Sequence, residues 1–268
     1  MADVLFKKVE YTLKKLLEDI SVGEIALPDI QRPFVWPAAK VRDLFDSMYQ
    51  GYPVGYLLFW ENGYSGEYRH IGAEGKQQKV PHLLIVDGQQ RLTSLYAVIK
   101  RVPVIGKDYR PHYIRISFRP LDEKFEVTNP AIEKDAEWIA DISILWQPNT
   151  SSFAFIQDFL QRLEARRPLD SEEKERIPRA IDRLAKLLDY PLTTLEISHS
   201  VKEDLVSDIF VRINSKGTPL NQADFILTLM SVFWDEGRVE LEDFCRRAKV
   251  PPSDNRPSAR ASRRMVPP

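Results

Sequence analysis

The stretch Leu83-Leu84-Ile85-Val86-Asp87-Gly88-Gln89-Gln90-Arg91-Leu92-Thr93-Ser94-Leu95 changes character abruptly after its first four residues. The unbroken aliphatic run predicts a strand that is buried on both faces. Asp-Gly is typical of a turn, and apolar residues then recur at the spacing of one helical face, at Leu92, Leu95, Tyr96 and Ile99. The sequence therefore predicts a core strand that turns directly into an amphipathic helix.

The first turn of this helix has the properties of an anion site. Its backbone N–H groups lack intrahelical acceptors, the helix dipole is positive there, and Arg91 adds a forked, permanent charge. Gly88 permits close approach of a phosphate to the backbone. Asp87 is compatible with orienting a water, holding Mg²⁺ or bonding a ribose hydroxyl; the alternative is that it only caps the helix. Thr93 and Ser94 either add hydroxyl groups to the site or lie on the helix surface.

Composition narrows the class of protein. The chain has 268 residues, a net charge of -1, 43% hydrophobic and 29% charged residues, which is typical of a globular protein without a general attraction to nucleic acid. One cysteine excludes a disulfide framework within this sequence, and the four histidines share no metal-ligand spacing, so no metal site is predicted. There is no Walker A motif. The charged start of the sequence and the lack of a long apolar run lead us to expect a cytoplasmic protein without a membrane partner.

Periodicity divides the sequence into four parts. We expect an α/β core over residues 1–130, beginning with a helix over 9–20, and a helical lobe over 131–190. A closing strand and helices of the core follow over 191–245, and a disordered basic tail occupies 246–268.

Two further segments carry chemistry-bearing side chains. Gln31-Arg32-Pro33-Phe34-Val35-Trp36 interleaves a cation with aromatic residues, a combination suited to a phosphate or a base. Within it, Arg32 is a candidate second cation or a reader of modified DNA, whereas Trp36 is expected in the core. Arg212 and Asn214 lie in Phe210-Val211-Arg212-Ile213-Asn214-Ser215-Lys216-Gly217-Thr218-Pro219-Leu220; Arg212 either touches a ligand or pairs with Asp208 or Asp224.

The three segments together, in this order, resemble the N-terminal domain of GmrSD-type, modification-dependent restriction endonucleases, a branch of the ParB/sulfiredoxin-like superfamily. The resemblance spans residues 24 to about 235. It implies an α+β fold with a ParB/sulfiredoxin-like mixed core and an additional helical lobe. Glutamines replace the catalytic cysteine of the sulfiredoxin branch. The family commonly continues into a histidine-asparagine-histidine (HNH) nuclease domain, and because no histidine follows His199 here, we expect that this domain lies on a partner chain, has been lost, or is missing because the sequence is a fragment.

The resemblance and the motifs lead to one main hypothesis: a domain that binds and hydrolyses a nucleoside triphosphate, with Mg²⁺, and regulates a type IV-like anti-phage restriction system. The expected catalytic residues are Asp87, Gln90 and Arg91. The expected phosphate-binding residues are Gln31, Arg32, Gly88, Gln89, Gln90, Arg91, Thr93, Arg212 and Asn214. The expected partners are modified foreign DNA, an HNH nuclease domain or subunit in trans, and a second copy of the chain. The alternatives are a metal-dependent nuclease that uses Asp87 as a ligand, and a DNA-binding module without enzymatic activity.

Overall fold

The computed structural model describes residues 4–26, 34–62, 81–106, 110–148 and 150–214, and six helical positions between 237 and 247. The chain divides into two compact units, Met1–Pro219 and Leu220–Pro268. All strands and helices whose ends are described belong to the first unit.

Strands and helices are interspersed along the chain. The strands are β1 (Phe6–Thr12), β2 (Ile25–Ala26), β3 (Leu57–Glu61), β4 (Leu83–Asp87), β5 (Val104–Ile105), β6 (Pro111–His112), β7 (Ile116–Arg119), β8 (Lys124–Val127) and β9 (Pro191–Ile197). The helices are α1 (Leu13–Ser21), α2 (Ala38–Tyr49), α3 (Gln89–Lys100), α4 (Ser152–Glu164), α5 (Ser171–Ala185) and α6 (Glu203–Asn214). Short 3-10 turns span Ile132–Lys134, Ile142–Trp146 and Lys186–Asp189.

The main sheet, as far as the chain is described, has five strands in the order β1-β9-β3-β4-β2. β1 and β4 run antiparallel to their neighbours β9 and β3, whereas β9 is parallel to β3 and β2 is parallel to β4. Two further antiparallel pairs, β5–β6 and β7–β8, lie outside this sheet. Helices and mixed sheets in one unit confirm the α+β class.

One hydrophobic core joins the main sheet to the helices. Leu57 and Phe59 of β3 and Ile85 of β4 belong to a buried cluster that also contains residues of α1, α2 and α3. Alternate residues of the same strands, such as Trp60 and Leu84, are buried as well, and alternation places them on the other face. The prediction that β4 is buried on both faces is confirmed.

The helices α4 and α5 pack onto this same core. Phe159 of α4 and Ile181 of α5 are fully buried members of the cluster. α4 begins at a Ser151 cap, and α5 begins with a capping box between Asp170 and Glu173, which satisfies backbone donors at each start. The helices predicted from their apolar stripes are confirmed.

Two expectations about individual elements need correction, namely the helix over 9–20 and a single strand that the alternation of residues 112–118 predicts, and three others lie mostly outside the described residues. The helix expected over 9–20 begins only at Leu13, because residues 6–12 pair with β9 from Phe6↔Ile197 to Thr12↔Pro191. The single strand expected over 112–118 is divided, since β6 pairs with β5 whereas β7 pairs with β8. Most of residues 61–81, whose composition predicts a loop, most of the residues after Asn221, where the spacing predicts a helix, and nearly all of the tail over 246–268 lie outside the described residues.

Candidate functional site

The Asp-Gly turn joins β4 to α3 through a glycine that no other residue replaces easily. Gly88 has φ +91°, and a β-carbon at this position would lie 2.3 Å from Cδ2 of Leu57. Both the left-handed backbone and the contact with the buried Leu57 therefore require glycine. The turn is packed directly on β3.

A β-bulge immediately precedes the turn. Leu58 is opposite Asp87, whereas the next residue, Phe59, is opposite Ile85. Val86 is thus the extra residue in β4. Bulges of this kind redirect the following side chain and are frequent beside active sites, and here the redirected side chain is that of Asp87.

The backbone donors at the start of α3 have no side-chain cap. Gly88 is the N-cap residue, and in the part of the chain that the structure describes no side chain, Asp87 included, accepts from the N–H groups of the first turn. The first intrahelical bond is donated by the N–H of Leu92 to the carbonyl of Gly88, at 3.0 Å. The alternative interpretation of Asp87 as a helix cap is therefore wrong. The N–H groups of Gln89, Gln90 and Arg91 precede that bond and form the anion-favouring end of the helix.

Arg91 joins this turn to the segment before β3. Its Nη1 donates to the carbonyl of Val54 at 2.6 Å and its Nη2 to the carbonyl of Tyr56 at 2.8 Å. Nη2 also lies 3.7 Å from Oδ2 of Asp87, and the Arg91 side chain is 19% exposed. Burial lowers the pKa of Arg91, and the charge of Asp87 opposes this shift. Because these two hydrogen bonds tie α3 to the segment before β3, Arg91 has a structural role beside its candidate role in binding.

Gln90 connects the motif to the first of the three segments. Its Oε1 accepts a hydrogen bond from the N–H of Val35 at 3.2 Å. On the other side of residues 27–33, Ala26 pairs with Leu84 of β4. Gln31 and Arg32 lie outside the described residues. The described residues on either side of them are held in place, since Val35 is bonded to Gln90 and Ala26 pairs with β4.

Polar groups further along α3 are buried. Thr93 and Ser94 are 2% and 0% exposed, so the interpretation of these hydroxyls as surface groups is wrong. Ser94 donates to the carbonyl of Gln90 at 2.6 Å. The buried atoms Oγ1 of Thr93 and Nε2 of Gln89 have no hydrogen-bond partner. Because they are four residues apart, they share one face of the helix.

The remaining predicted residues lie elsewhere in the fold. Phe34 is buried, and Trp36 packs against the core beneath Lys40, whose Nζ is 4.2 Å from the centre of the ring. Trp36 is thus half-buried against the core, so it reaches the core position expected for it only in part, whereas Phe34 is buried within the core. Arg212 is exposed in the last turn of α6, Asn214 ends that helix, and residues 215–220 lie outside the description. The roles of Arg212 and Asn214 stay predictions.

A charged cluster on the sheet was not anticipated from the sequence. Glu196 of β9 is 3% exposed and accepts from the Tyr11 hydroxyl at 2.7 Å. Nζ of Lys7 lies 3.1 Å from Glu196 and 2.7 Å from Glu61. The nearby Lys7 lowers the pKa of Glu61. Burial and, to a smaller extent, the hydrogen bond to Glu196 raise the pKa of Tyr11. The alternation of Lys7, Val9 and Tyr11 in the sequence was the available signal, but the helical pattern beginning at Val9 obscured it.

Two features are absent from the described ranges, a cluster of metal ligands and a membrane-spanning helix. No group of three or more His, Cys, Asp or Glu side chains is arranged to hold a metal ion. Among the helices described, none is long and apolar enough to cross a lipid bilayer.

Comparison with known proteins supplies the context of this site. Residues 13–231 match the family described as GmrSD restriction endonuclease, N-terminal domain. The chain is also 26% identical over 237 residues to the uncharacterized protein MJ0686 of Methanocaldococcus jannaschii, a match that takes in 80% of this chain and 40% of the relative. The chain thus spans about 40% of the length of that curated relative. Because the family match covers well over half of its residues, the chain belongs to the family of GmrSD restriction endonuclease N-terminal domains.

Proposed function

We propose that this domain binds and hydrolyses a nucleoside triphosphate and thereby regulates a modification-dependent restriction system. The observation that carries the proposal is the uncapped first turn of α3, which follows directly after the carboxylate of Asp87. Family membership supports the connection to restriction, and the chemistry of this turn supports the connection to phosphate.

The phosphate is bound by the backbone at the start of α3. The N–H groups of Gln89, Gln90 and Arg91 supply donors, and the helix dipole adds a favourable field. Gly88 leaves the approach to these donors free of a side chain.

Asp87 is the candidate for orienting the attacking water. Its side chain is 22% exposed and does not cap the helix, so it is accessible to a small reactant. In the proposed hydrolysis the water oxygen bonds to the terminal phosphorus, the bond to the bridging oxygen breaks, and the water proton leaves through Asp87 to solvent. Mg²⁺ would accompany the triphosphate as part of the substrate.

Arg91 and Gln90 position this turn as well as acting on the ligand. Two of the five N–H donors of Arg91 are used by the carbonyls of Val54 and Tyr56, so its charge is held in a fixed place beside the phosphate. Gln90 fixes Val35, three residues after Arg32. We therefore infer that Arg32 supplies a second cation to the same anion.

The decisive experiment is phosphate release from each of the four nucleoside triphosphates with Mg²⁺, in the presence and absence of modified DNA. We expect hydrolysis by the wild type and its loss in Asp87→Asn, which removes a charge without changing the shape. Asp182→Asn is the matched control, because Asp182 also pairs with a cation four residues later, Lys186, but on the exposed surface of α5. Equal activity of the wild type and Asp87→Asn would disprove this role of Asp87.

The same samples distinguish the other functions considered. Cleavage of DNA by this chain with Mg²⁺ or Mn²⁺ and without nucleotide would favour a metal-dependent nuclease. Salt-sensitive DNA binding with no hydrolysis of any nucleotide would favour a DNA-binding module. In the proposed function the partners are modified DNA and an HNH nuclease domain or subunit, which would perform the cleavage.

A further inference from the structure

A second candidate site lies at the opposite end of α3. A cleft of about 570 Å³ is bounded by Arg101, just after α3, by residues 133–141, and by α4. α3 has 12 residues, so about 18 Å of helix separates this cleft from the Asp-Gly turn. The volume is within the range of sites that hold one small ligand.

Some of the charged side chains in the cleft have an ion-pair partner among the described residues, and others do not. Glu133 pairs with Arg115 at 2.5 Å, and Asp141 lies 3.7 Å from Arg101. Asp135 accepts from the N–H of Glu137 at 3.0 Å. The described residues provide no ion pair for two of the cations in the lining, Lys134 and Arg166, and both are exposed. The cleft therefore presents two cations, Lys134 and Arg166, and one carboxylate, Asp135, that have no ion-pair partner among the described residues, which leaves a net positive charge for a ligand.

Apolar side chains line the same cleft. Trp138 and Phe155 are half-buried in the lining, and Ile144 is 41% exposed there. An aromatic face beside a cation suits a ligand that has both a flat ring and a negative charge. A nucleotide has both, because its base stacks on the ring and its phosphate meets the cation.

We propose that this cleft binds one nucleotide unit of a DNA strand, with the base against Trp138 and Phe155 and the phosphates against Lys134 and Arg166. The proposal rests on the proposed function, in which DNA is the sensed partner. Stacking requires an exposed base face, so the unit must be unpaired or turned out of the duplex. The cleft is therefore a DNA contact distinct from the nucleotide-hydrolysis site at the other end of α3.

The test is fluorescence anisotropy with a labelled single-stranded DNA oligonucleotide, measured without nucleoside triphosphate. We expect the double variant Lys134→Ala/Arg166→Ala to bind at least about fivefold more weakly than the wild type. Losing two phosphate contacts should also lower the salt slope by about 1.4. Trp138→Ala should weaken binding without changing the salt slope, because stacking releases no counterions. The matched control is Lys14→Ala/Arg176→Ala, which removes the same charge from exposed positions outside the cleft.

Each outcome decides for or against the proposal. Equal weakening by the cleft and control variants would reduce the effect to net charge and overturn it, as would an RNA strand of the same sequence that binds more tightly than DNA. Displacement of the oligonucleotide by deoxynucleoside monophosphates would support the cleft as the binding site. It would also show that a free nucleotide can bind there in place of a nucleotide unit of DNA. The anisotropy assay contains no triphosphate, so its result does not depend on hydrolysis. If the wild type released no phosphate in the hydrolysis experiment, the proposed function would be refuted, but the DNA-binding result would still stand.

Discussion

The guanidinium of Arg91 occupies the space that a side chain at residue 55 would fill. A β-carbon at Gly55 would lie 2.6 Å from Nη1 of Arg91, and Gly55 has φ +87°. The carbonyls that Arg91 bonds belong to the two neighbours of Gly55, Val54 and Tyr56. The glycine before β3 and the arginine after β4 thus form one structural unit, although 36 positions separate them in the numbering.

Replacing Gly55 should destabilise the fold. Gly55→Ala introduces left-handed strain and forces the guanidinium away from its carbonyl partners, so we expect a loss of about 2–4 kcal/mol in the free energy of unfolding. Urea denaturation measures this loss. In an Arg91→Ala background the clash is absent and only the backbone strain of about 1 kcal/mol should remain. Strict additivity of the two substitutions would contradict the contact.

Removing Arg91 should affect both stability and activity. Arg91→Ala leaves two backbone carbonyls without their charged donor, and we expect a cost of about 3 kcal/mol in the free energy of unfolding. Arg91→Lys should recover only part of this, because an ammonium group lacks the planar fork that reaches both carbonyls. Unfolding curves and phosphate release are measured on the same variants. A fully stable Arg91→Ala protein would show that these hydrogen bonds contribute little.

Two glycines with similar backbones allow steric contact to be separated from conformational strain. Gly88 and Gly51 have φ +91° and +76°, but a β-carbon at Gly51 would meet no atom within 4 Å. Gly51→Ala should therefore cost about 1 kcal/mol. Gly88→Ala should cost clearly more, about 2–4 kcal/mol, because Leu57 blocks the new methyl group. Equal changes in the thermal midpoints of the two variants would argue against the packing of the turn on β3.

Much of the candidate site was predictable because its signals are local. The aliphatic run of β4, the Asp-Gly turn and the apolar spacing of α3 lie within 17 consecutive residues, Leu83–Ile99, and each limits the backbone conformation of its neighbours. These features predict the strand, the turn and the helix, but they leave open whether Asp87 caps the helix, which only the structure decides.

The partners of Arg91 were not predictable in the same way. They are backbone carbonyls 37 and 35 positions away. Every residue has a backbone carbonyl, so nothing in the sequence marks the two that Arg91 contacts. The strand β1 was missed for a related reason. Its pairing with β9 joins residues up to 191 positions apart, and that tertiary pairing overrides the local helical pattern of residues 9–12.

Acidification should weaken the fold through Glu61. The ammonium group of Lys7 and, to a smaller extent, the N–H of His199 lower the pKa of Glu61 below its ordinary value of 4.5. A carboxylate with a lowered pKa in the folded state contributes stability that is fully present above the unfolded pKa and is lost as the pH falls through the folded pKa. The difference in unfolding free energy between the wild type and Glu61→Gln should therefore be constant above about pH 5 and shrink below about pH 4. Urea denaturation from pH 7 to pH 3 measures it, with Glu10→Gln, an exposed carboxylate of β1, as the control. A difference that stays constant down to pH 3 would show that Glu61 stabilises the sheet by packing alone.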